Sequence, residues 1–221
     1  MASLLAKAKG RDVTPSFLPR RTLDEMAGTR DHQGVVAEAG PLPLVDLEGL
    51  LRGARKTPHP LLLFLDGVQD PRNLGALVRS VGAFGGSGVV FTRERTAPPS
   101  PVAAKAAAGA LDHVPLCRVV NLTRALEGAK EAGFWVLGLD EKGEKDMGEL
   151  ALEDSLAIVV GGEGTGLRRL VREGCDYLVR IPTLNALSSL NVSVALGIAL
   201  YEMTRGRKYS QKYSVDKKGT D

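Results

Sequence analysis

The sequence has few of the residues from which disulfide-stabilised and metal-binding proteins are built. Its 221 residues include only two cysteines, Cys117 and Cys175, and three histidines that lie far apart. Two cysteines are too few for a disulfide framework or a cysteine-rich zinc site, and the histidines show no metal-ligand spacing. We therefore expect no metal ion in this protein, and we expect a reducing, cytoplasmic location.

Long apolar runs are missing as well. No run approaches the ~18 residues of a membrane-spanning helix, so no membrane association is expected. The first ten residues have no apolar stretch of the kind that secretory signals contain. Hydrophobic residues make up 43% of the chain and charged residues 25%, which is close to the globular average and argues against extensive disorder. The length suits one large domain, or one domain with an appendage.

Positive charge is concentrated at the two ends of the chain. Residues 1–30 contain six Lys or Arg against three Asp or Glu, and residues 203–221 contain six against two. The whole chain carries only +3, so the part between the ends is net negative. Basic ends favour a polyanionic partner such as a nucleic acid, and solvated flexible tails are the alternative explanation.

Strand and helix patterns alternate from residue 61 onward. Short continuous apolar runs, typical of strands buried on both faces, predict strands at Leu61–Leu65, Gly88–Phe91, Leu116–Val120, Phe134–Leu139, Leu156–Val160 and Tyr177–Ile181. Helical spacing predicts helices at Asn73–Phe84, Pro101–Gly109, Leu122–Ala132, Leu167–Glu173 and about Leu190–Arg205. This alternation predicts an α/β domain with a parallel sheet covered on both faces. The extended Pro-rich break at residues 40–43 indicates a domain boundary at this point.

Three polar segments each follow a predicted strand, which is where open α/β sheets place their ligands. In the first, Asp70 and Pro71 indicate a turn, Asn73 is a suitable helix cap, and Arg79 lies in the second helical turn. Free backbone amides at a helix start, with an arginine nearby, suit a phosphate group. An ordinary cap followed by a surface arginine is the alternative.

The second segment is the glycine loop 161–166. Its four glycines allow the backbone to approach a ligand closely. The loop lacks the Lys-Ser/Thr pair of a P-loop and does not fit the dinucleotide fingerprint. Glu163 is unexpected inside such a loop, because its carboxylate would repel a phosphate.

The third segment places Ser188, Ser189 and Asn191 directly before an apolar helix. A helix cap accounts for one of these polar residues but not for all three. The segment is therefore a candidate part of a binding site.

In this order, Asn73 with Arg79, then Gly161-Gly-Glu163-Gly, then Ser189-Leu-Asn191, resemble the three signature motifs of a known enzyme family. The family is the SpoU (TrmH-like) RNA ribose 2′-O-methyltransferases of the SPOUT superfamily. The resemblance covers about residues 58–205. Residues 23–37 further resemble the segment that precedes the catalytic domain in the bacterial 23S rRNA guanosine-2′-O-methyltransferase branch.

The resemblance implies a parallel-sheet SPOUT domain whose C-terminal part, from Leu156 through the last helix, forms a trefoil knot. Relatives that methylate rRNA carry an RNA-binding N-terminal domain similar to ribosomal protein L30e, and the corresponding segment here is much shorter. We therefore expect a partial or truncated L30e-like segment with a linker in residues 1–43. The methyltransferase domain would occupy residues 44–205, and residues 206–221 would form a basic, disordered tail.

The resemblance also implies the chemistry: S-adenosyl-L-methionine is the cofactor, and the methyl acceptor is a ribose 2′-hydroxyl of RNA, here a guanosine of 23S rRNA. The implied cofactor-binding residues are Gly161, Gly162, Ile181, Ser189 and Leu190. The implied catalytic residues are Arg79, Asn73, Glu163, Ser189 and Asn191. Family members are homodimers whose active site is shared between subunits.

Several alternatives remain open at the level of sequence. The substrate can be a tRNA, or the chain can be a catalytically inactive RNA-binding relative. The glycine loop by itself would also suit a phosphate- or nucleotide-binding α/β enzyme, although no lysine lies within it. Thr183 and Asn185 stand where the family motif usually has Met and Gly, which alters the expected cofactor pocket. Arg79 can bind the nucleotide phosphate or stabilise the developing alkoxide, since an arginine stays protonated.

Overall fold

The computed structural model describes residues 2–10, 13–149, 155–184 and 190–205. Several parts of the sequence-based expectations lie outside these ranges: Asn185, Ser188, Ser189 and the basic tail of residues 206–221. In the described residues, no helix combines the length and the apolar character that a membrane crossing requires. The same residues contain no group of His, Cys, Asp and Glu side chains suited to hold a metal ion.

The chain divides into two compact units, Met1–Pro41 and Leu42–Asp221. The first contains two helices that the sequence analysis did not predict, α1 (Ala2–Lys9) and α2 (Arg20–Ala27). His32 belongs to this unit, and its ring is only 3% exposed. Nδ1 of His32 accepts a hydrogen bond from the Gly34 amide, and Nε2 lies 2.8 Å from Oδ1 of Asp24. These contacts tie the segment after α2 back onto the helix.

The second unit is built on an eight-stranded parallel sheet with the strand order β1-β4-β3-β2-β7-β5-β8-β6. The strands are β1 (Leu44–Val45), β2 (Leu61–Asp66), β3 (Gly88–Thr92), β4 (Leu116–Val119), β5 (Trp135–Leu139), β6 (Lys145–Asp146), β7 (Leu156–Gly161) and β8 (Tyr177–Arg180). Each strand pairs in parallel with its neighbours in the sheet. The predicted parallel α/β architecture is therefore confirmed. β1 and β6 were not predicted, because two residues are too few to show a pattern.

Helices cover both faces of the sheet. They are α3 (Leu47–Ala54), α4 (Pro71–Ala83), α5 (Pro101–Ala107), α6 (Leu122–Glu131), α7 (Arg169–Glu173) and α8 (Val192–Thr204). Alternate residues of β2 enter two separate cores: Leu63 packs in the cluster with α4 and α8, whereas Phe64 packs in the cluster with α3 and α6. Both sides of the strand are thus buried, which explains its unbroken apolar sequence.

The start of α4 differs from the sequence-based prediction. Asp70, not Asn73, caps the helix: its carboxylate accepts a hydrogen bond from the Arg72 amide at 2.8 Å. Pro71 occupies the first helical position, which its fixed φ favours. The prediction that Asn73 caps this helix is wrong, and the side chain of Asn73 is left for contacts elsewhere.

Strand β8 lies between β5 and β6 in the sheet, although β5 and β6 are joined by only residues 140–144. The connecting segment crosses the backbone of β8 at close range. A Cβ built on Gly143 would stand 2.6 Å from the carbonyl carbon of Val179, so a side chain has no room there. A later part of the chain is therefore inserted between two earlier, closely linked strands.

Candidate functional site

The glycine loop leaves the carboxyl end of β7 and is held against the end of β2. The Gly162 amide donates to the Asp66 carbonyl at 2.9 Å, and the Gly166 amide donates back to the Gly162 carbonyl at 3.0 Å. A Cβ on Gly162 would lie 2.3 Å from the Gly67 carbonyl oxygen, and one on Gly161 would lie 2.2 Å from the carbonyl carbon of Gly166. Close backbone packing therefore requires glycine at both positions.

Asp66 fixes the far end of the same loop. Its side chain is fully buried; Oδ2 accepts from the Arg168 amide at 2.8 Å, and Oδ1 accepts from Nε of Arg168 at 2.5 Å. Asp66 thus binds residue 162 through its carbonyl and residue 168 through its carboxylate. The sequence analysis missed this residue. The available signal was a lone charge ending the apolar run of β2.

One residue from each of the three polar segments meets in a single hydrogen-bonded group. Nδ2 of Asn73 donates to Oε1 of Glu163, and Nδ2 of Asn191 donates to Oδ1 of Asn73 at 3.2 Å. Asn191 also caps α8, since its Oδ1 accepts from the Ser193 amide at 2.9 Å. We call Asn73, Glu163 and Asn191 the amide–carboxylate triad.

Arg79 is not part of this triad. It lies six residues after Asn73, which is about 9 Å along the axis of α4 and about a third of a turn around it. Its side chain is exposed and forms no hydrogen bond or ion pair with any residue in the described ranges. A freely exposed guanidinium at this place is available to an external anion.

A cavity of about 730 Å³ opens beside the triad, at the carboxyl ends of β5, β7 and β8. This volume lies in the usual range for small-molecule sites. Glu163 and Asn191 line it together with four of the five residues predicted to bind the cofactor: Gly161, Gly162, Ile181 and Leu190. The fifth, Ser189, lies outside the described residues.

Asp140 and Arg172 form an ion pair in the wall of this cavity. Nε of Arg172 donates to Oδ2 of Asp140 at 3.0 Å, and the Lys142 amide donates to Oδ1 at 2.8 Å. Burial alone would raise the pKa of Asp140, but these hydrogen bonds and the nearby positive charges outweigh it, so that the pKa is lowered. The carboxylate is therefore ionised and held in place at neutral pH.

Neither cysteine is suited to act as a nucleophile. Burial raises the pKa of Cys175 to about 12 and that of Cys117 to about 11. Both thiols are protonated at neutral pH, and the thiol form is a poor nucleophile.

Each of the two units of the chain matches a known protein family. The SpoU rRNA Methylase family matches residues 60–201, which include the triad and the cavity. A second family, described as RNA 2′-O ribose methyltransferase substrate binding, matches residues 1–45.

Individual proteins of the same kind are also similar to this chain. A 23S rRNA (guanosine-2′-O-)-methyltransferase RlmB of Vibrio vulnificus is 44% identical over 199 residues, which span 90% of this chain and 81% of that protein. The putative TrmH family tRNA/rRNA methyltransferase YacO of Bacillus subtilis is 41% identical over 201 residues, 90% of this chain and 80% of that protein. The structure of the SpoU methyltransferase AviRb of Streptomyces viridochromogenes in complex with AdoMet superposes with a TM-score of 0.62 and 26% identity. It covers 78% of this chain and 63% of that one.

Proposed function

The chain belongs to the SpoU rRNA methylase family, and on that basis we propose that it methylates a ribose 2′-hydroxyl of RNA, a guanosine of 23S rRNA, with S-adenosylmethionine as methyl donor. The observation that carries the proposal is the position of the triad. Two of its members, Glu163 and Asn191, line the 730 Å³ cavity and also hydrogen-bond to Asn73. Polar groups for a ribose and space for a cofactor thus lie side by side.

The cavity suits S-adenosylmethionine in size and in the chemistry of its walls. Backbone groups of the glycine loop offer hydrogen bonds at close range, and Val160, Ile181 and Leu190 provide apolar surface. The cofactor carries no phosphate, which agrees with the absence of a P-loop lysine. Gly161, Gly162, Ile181, Leu190 and Ser189 would hold it. When bound, it supplies an electrophilic methyl group on a sulfonium.

The triad then has the task of placing the 2′-hydroxyl. Asn191 orients Asn73, and Asn73 holds one oxygen of the Glu163 carboxylate. The second oxygen of Glu163 has no hydrogen-bond partner in the described part of the chain, so it can accept a hydrogen bond from a ribose hydroxyl. Holding the acceptor in line with the methyl group lowers the barrier by removing orientational freedom.

We assign a separate role to Arg79. Its exposed guanidinium can bind the phosphate beside the target nucleotide and stabilise negative charge as the hydroxyl loses its proton. Because Arg79 forms no hydrogen bond or ion pair with the triad in the described structure, it acts on the RNA directly rather than through Glu163.

The C-terminal part of the domain is proposed to form a trefoil knot. Its support is the insertion of β8 between β5 and β6, beneath the short crossing segment around Gly143. General rules of chain connection disfavour such threading, and nearly all known folds avoid it.

The domain is proposed to act as a homodimer through α8. Val194, Ile198 and Tyr201 form a stripe along one side of this helix, and Leu190 lies two residues before its start; each is between 37% and 60% exposed. The opposite side of the helix, with Leu196 and Leu200, is buried in the core. A continuous apolar stripe of this kind is typical of an interaction surface.

The unit Met1–Pro41 is proposed to bind RNA, as a partial L30e-like segment. Two observations support this role. The unit matches a substrate-binding family, and its basic residues Arg20 and Arg30 are exposed. We propose a cytoplasmic location, where rRNA is available.

The direct test is methyl transfer from labelled S-adenosylmethionine to unmodified transcripts of 23S rRNA and of tRNA, followed by mapping of the labelled nucleotide. We expect label on the ribose of one guanosine in 23S rRNA. Label confined to tRNA would change the substrate, and label on neither RNA with intact cofactor binding would contradict the proposal.

A further inference from the structure

A second cavity, of about 680 Å³, lies at the carboxyl ends of β3 and β4. We call it the arginine cleft, because four arginines line it together with a single carboxylate, Glu94. The four are Arg93, Arg95, Arg168 and Arg169. None of them was singled out by the sequence motifs, and the function described above uses none of them.

Two of the four arginines are already neutralised within the protein. Arg168 pairs with Asp66, and Arg169 pairs with Glu173. Arg93 and Arg95 are exposed and form no ion pair with any residue that the structure describes. Their charge is therefore available to a ligand, and a phosphate is the group that a guanidinium binds most specifically.

A buried hydroxyl gives a second, independent indication. Thr92 lines the cleft and is only 5% exposed, yet its Oγ1 has no hydrogen-bond partner in the described structure. The same is true of Oγ1 of Thr96, so that two unsatisfied hydroxyls flank the Arg93–Arg95 loop. Buried polar groups are rarely left without a partner, and a ligand oxygen is one way to satisfy them.

The opposite wall of the cleft is the start of α6. Leu122 and Thr123 line the cleft at the first turn of this ten-residue helix, where backbone amides carry partial positive charge. Val120, 97% exposed, and Leu170, 55% exposed, add apolar surface at the cleft. An anion-binding site beside exposed apolar side chains fits a nucleotide better than a free anion.

From these observations we infer that the arginine cleft binds a phosphodiester of the substrate RNA, next to the nucleotide that is methylated. The inference rests on the proposed function. Arg93 and Arg95 hold the phosphate, the Thr92 hydroxyl turns into the cleft to donate to it, and Val120 and Leu170 contact the adjoining base.

The cleft and the cofactor cavity share one continuous segment of chain. Residues 160–167 line the cofactor cavity, and residues 168–171 line the cleft. Asp66 anchors the junction by binding the main chain and side chain of Arg168. RNA held in the cleft is thereby placed at a fixed distance from the glycine loop, which is what alignment of a nearby ribose requires.

The test replaces both free arginines in the full chain, as Arg93→Gln with Arg95→Gln. The matched control is Arg55→Gln with Lys56→Gln, which removes two exposed charges that follow α3 and form no ion pair in the described structure. The probe is an unmodified 23S rRNA transcript. Its affinity for each protein is measured by filter binding at several salt concentrations. Cofactor affinity is measured separately by calorimetry.

We expect RNA affinity of the cleft variant to fall by about tenfold or more, and its log–log salt slope to become shallower by about 0.7, as for the loss of one phosphate contact. The control should bind RNA within about twofold of the unaltered protein, and cofactor affinity should stay unchanged in both. Equal RNA affinity in the cleft variant, or an equal loss in the control, would overturn the inference. Failure of the unaltered protein to transfer methyl groups would instead overturn the proposed function.

A second variant, Thr92→Val, separates ligand binding from stability. Its hydroxyl has no partner in the described structure, so its removal should leave the melting temperature unchanged or slightly raised. RNA affinity should nevertheless fall by about threefold or more. A lower melting temperature with unchanged RNA affinity would show that the hydroxyl stabilises the fold. It would count against RNA binding in the arginine cleft.

Discussion

Asn191, the cap of α8, donates a hydrogen bond from its Nδ2 to Oδ1 of Asn73 in the first turn of α4, at 3.2 Å. The two residues are 118 positions apart in the chain. One side chain therefore does two things: its oxygen starts a helix, and its nitrogen joins that helix to the group that holds Glu163. The separation of these two tasks can be tested.

Asn191→Ser should preserve the helix but weaken the triad. Serine is also a good N-cap, so the melting temperature should change little. It is too short to reach Asn73, so Glu163 loses its orientation and the turnover rate should fall by about tenfold. Thermal unfolding and single-turnover methylation measure the two effects. Asn191→Ala serves as the comparison, and it should lose about 1 kcal/mol of stability in addition. A normal rate in the serine variant would remove Asn73 and Asn191 from the orientation of Glu163.

Glu163→Gln should lower the rate of methyl transfer while leaving the fold intact. The side chain is exposed in a glycine loop, so little packing is lost. Glutamine keeps the shape but accepts hydrogen bonds more weakly than a carboxylate, and we expect a loss of about tenfold or more in rate. Glu127→Gln, the same change at an exposed glutamate of α6 that does not line the cofactor cavity, is the control and should remain active. A large fall in melting temperature for Glu163→Gln would assign the residue to the fold.

Arg79→Ala should abolish methyl transfer, by at least ~100-fold, which is the range for loss of a positioned charge-stabilising group. Cofactor affinity should survive, because Arg79 does not line the cofactor cavity. Arg79→Lys should restore little, since an ammonium cannot form the planar, two-pronged contact with a phosphate. The assay is single-turnover methylation with saturating cofactor, with Arg52→Ala as an exposed arginine elsewhere. Normal rates in both Arg79 variants would make it an ordinary surface residue of α4.

Ile198→Glu should convert the proposed dimer into monomers. It places a charge in the middle of the exposed stripe on α8, where burial against a second copy would leave it unpaired. Light scattering at micromolar concentration should show half the mass of the unaltered protein. Val45→Glu, on the edge strand β1, adds the same charge at a different exposed apolar position and should leave the mass unchanged. A monomeric unaltered protein would refute the homodimer itself.

Asp140→Asn should make the stability of the fold depend less on pH in the acid range. The pKa of Asp140 is lowered in the folded protein, so the ionised carboxylate stabilises the fold above the pKa of the unfolded chain, about 3.9. This contribution is lost as the pH falls through the lower, folded-state value. The variant should therefore melt below the unaltered protein at pH 7, and the difference should shrink as the pH falls below about 4. Melting temperatures between pH 7 and pH 3 provide the check, and a difference that grows in acid would contradict the ion pair with Arg172.

Local sequence determined much of the domain. Uninterrupted apolar runs correctly predicted the six longer strands, because a strand covered on both faces needs apolar side chains at every position. Helical spacing likewise predicted α4, α5, α6, α7 and α8 to within a few residues. The elements that were missed in the second unit are α3 and the two-residue strands β1 and β6. The three polar segments were also recognisable, since each follows a strand at the ligand-binding edge.

Tertiary structure decided how these parts are connected. No local pattern shows that β8 lies between β5 and β6, or that Asp66 clamps Arg168, because each relationship joins residues far apart in sequence. The sequence motifs grouped Arg79 with Asn73, yet the helix turns the two side chains in different directions, and only Asn73 reaches Glu163. The spacing of apolar residues along the sequence indicates which residues are buried. The partner of each polar group depends on the order of the strands in the sheet, and that order is fixed only when the whole core packs.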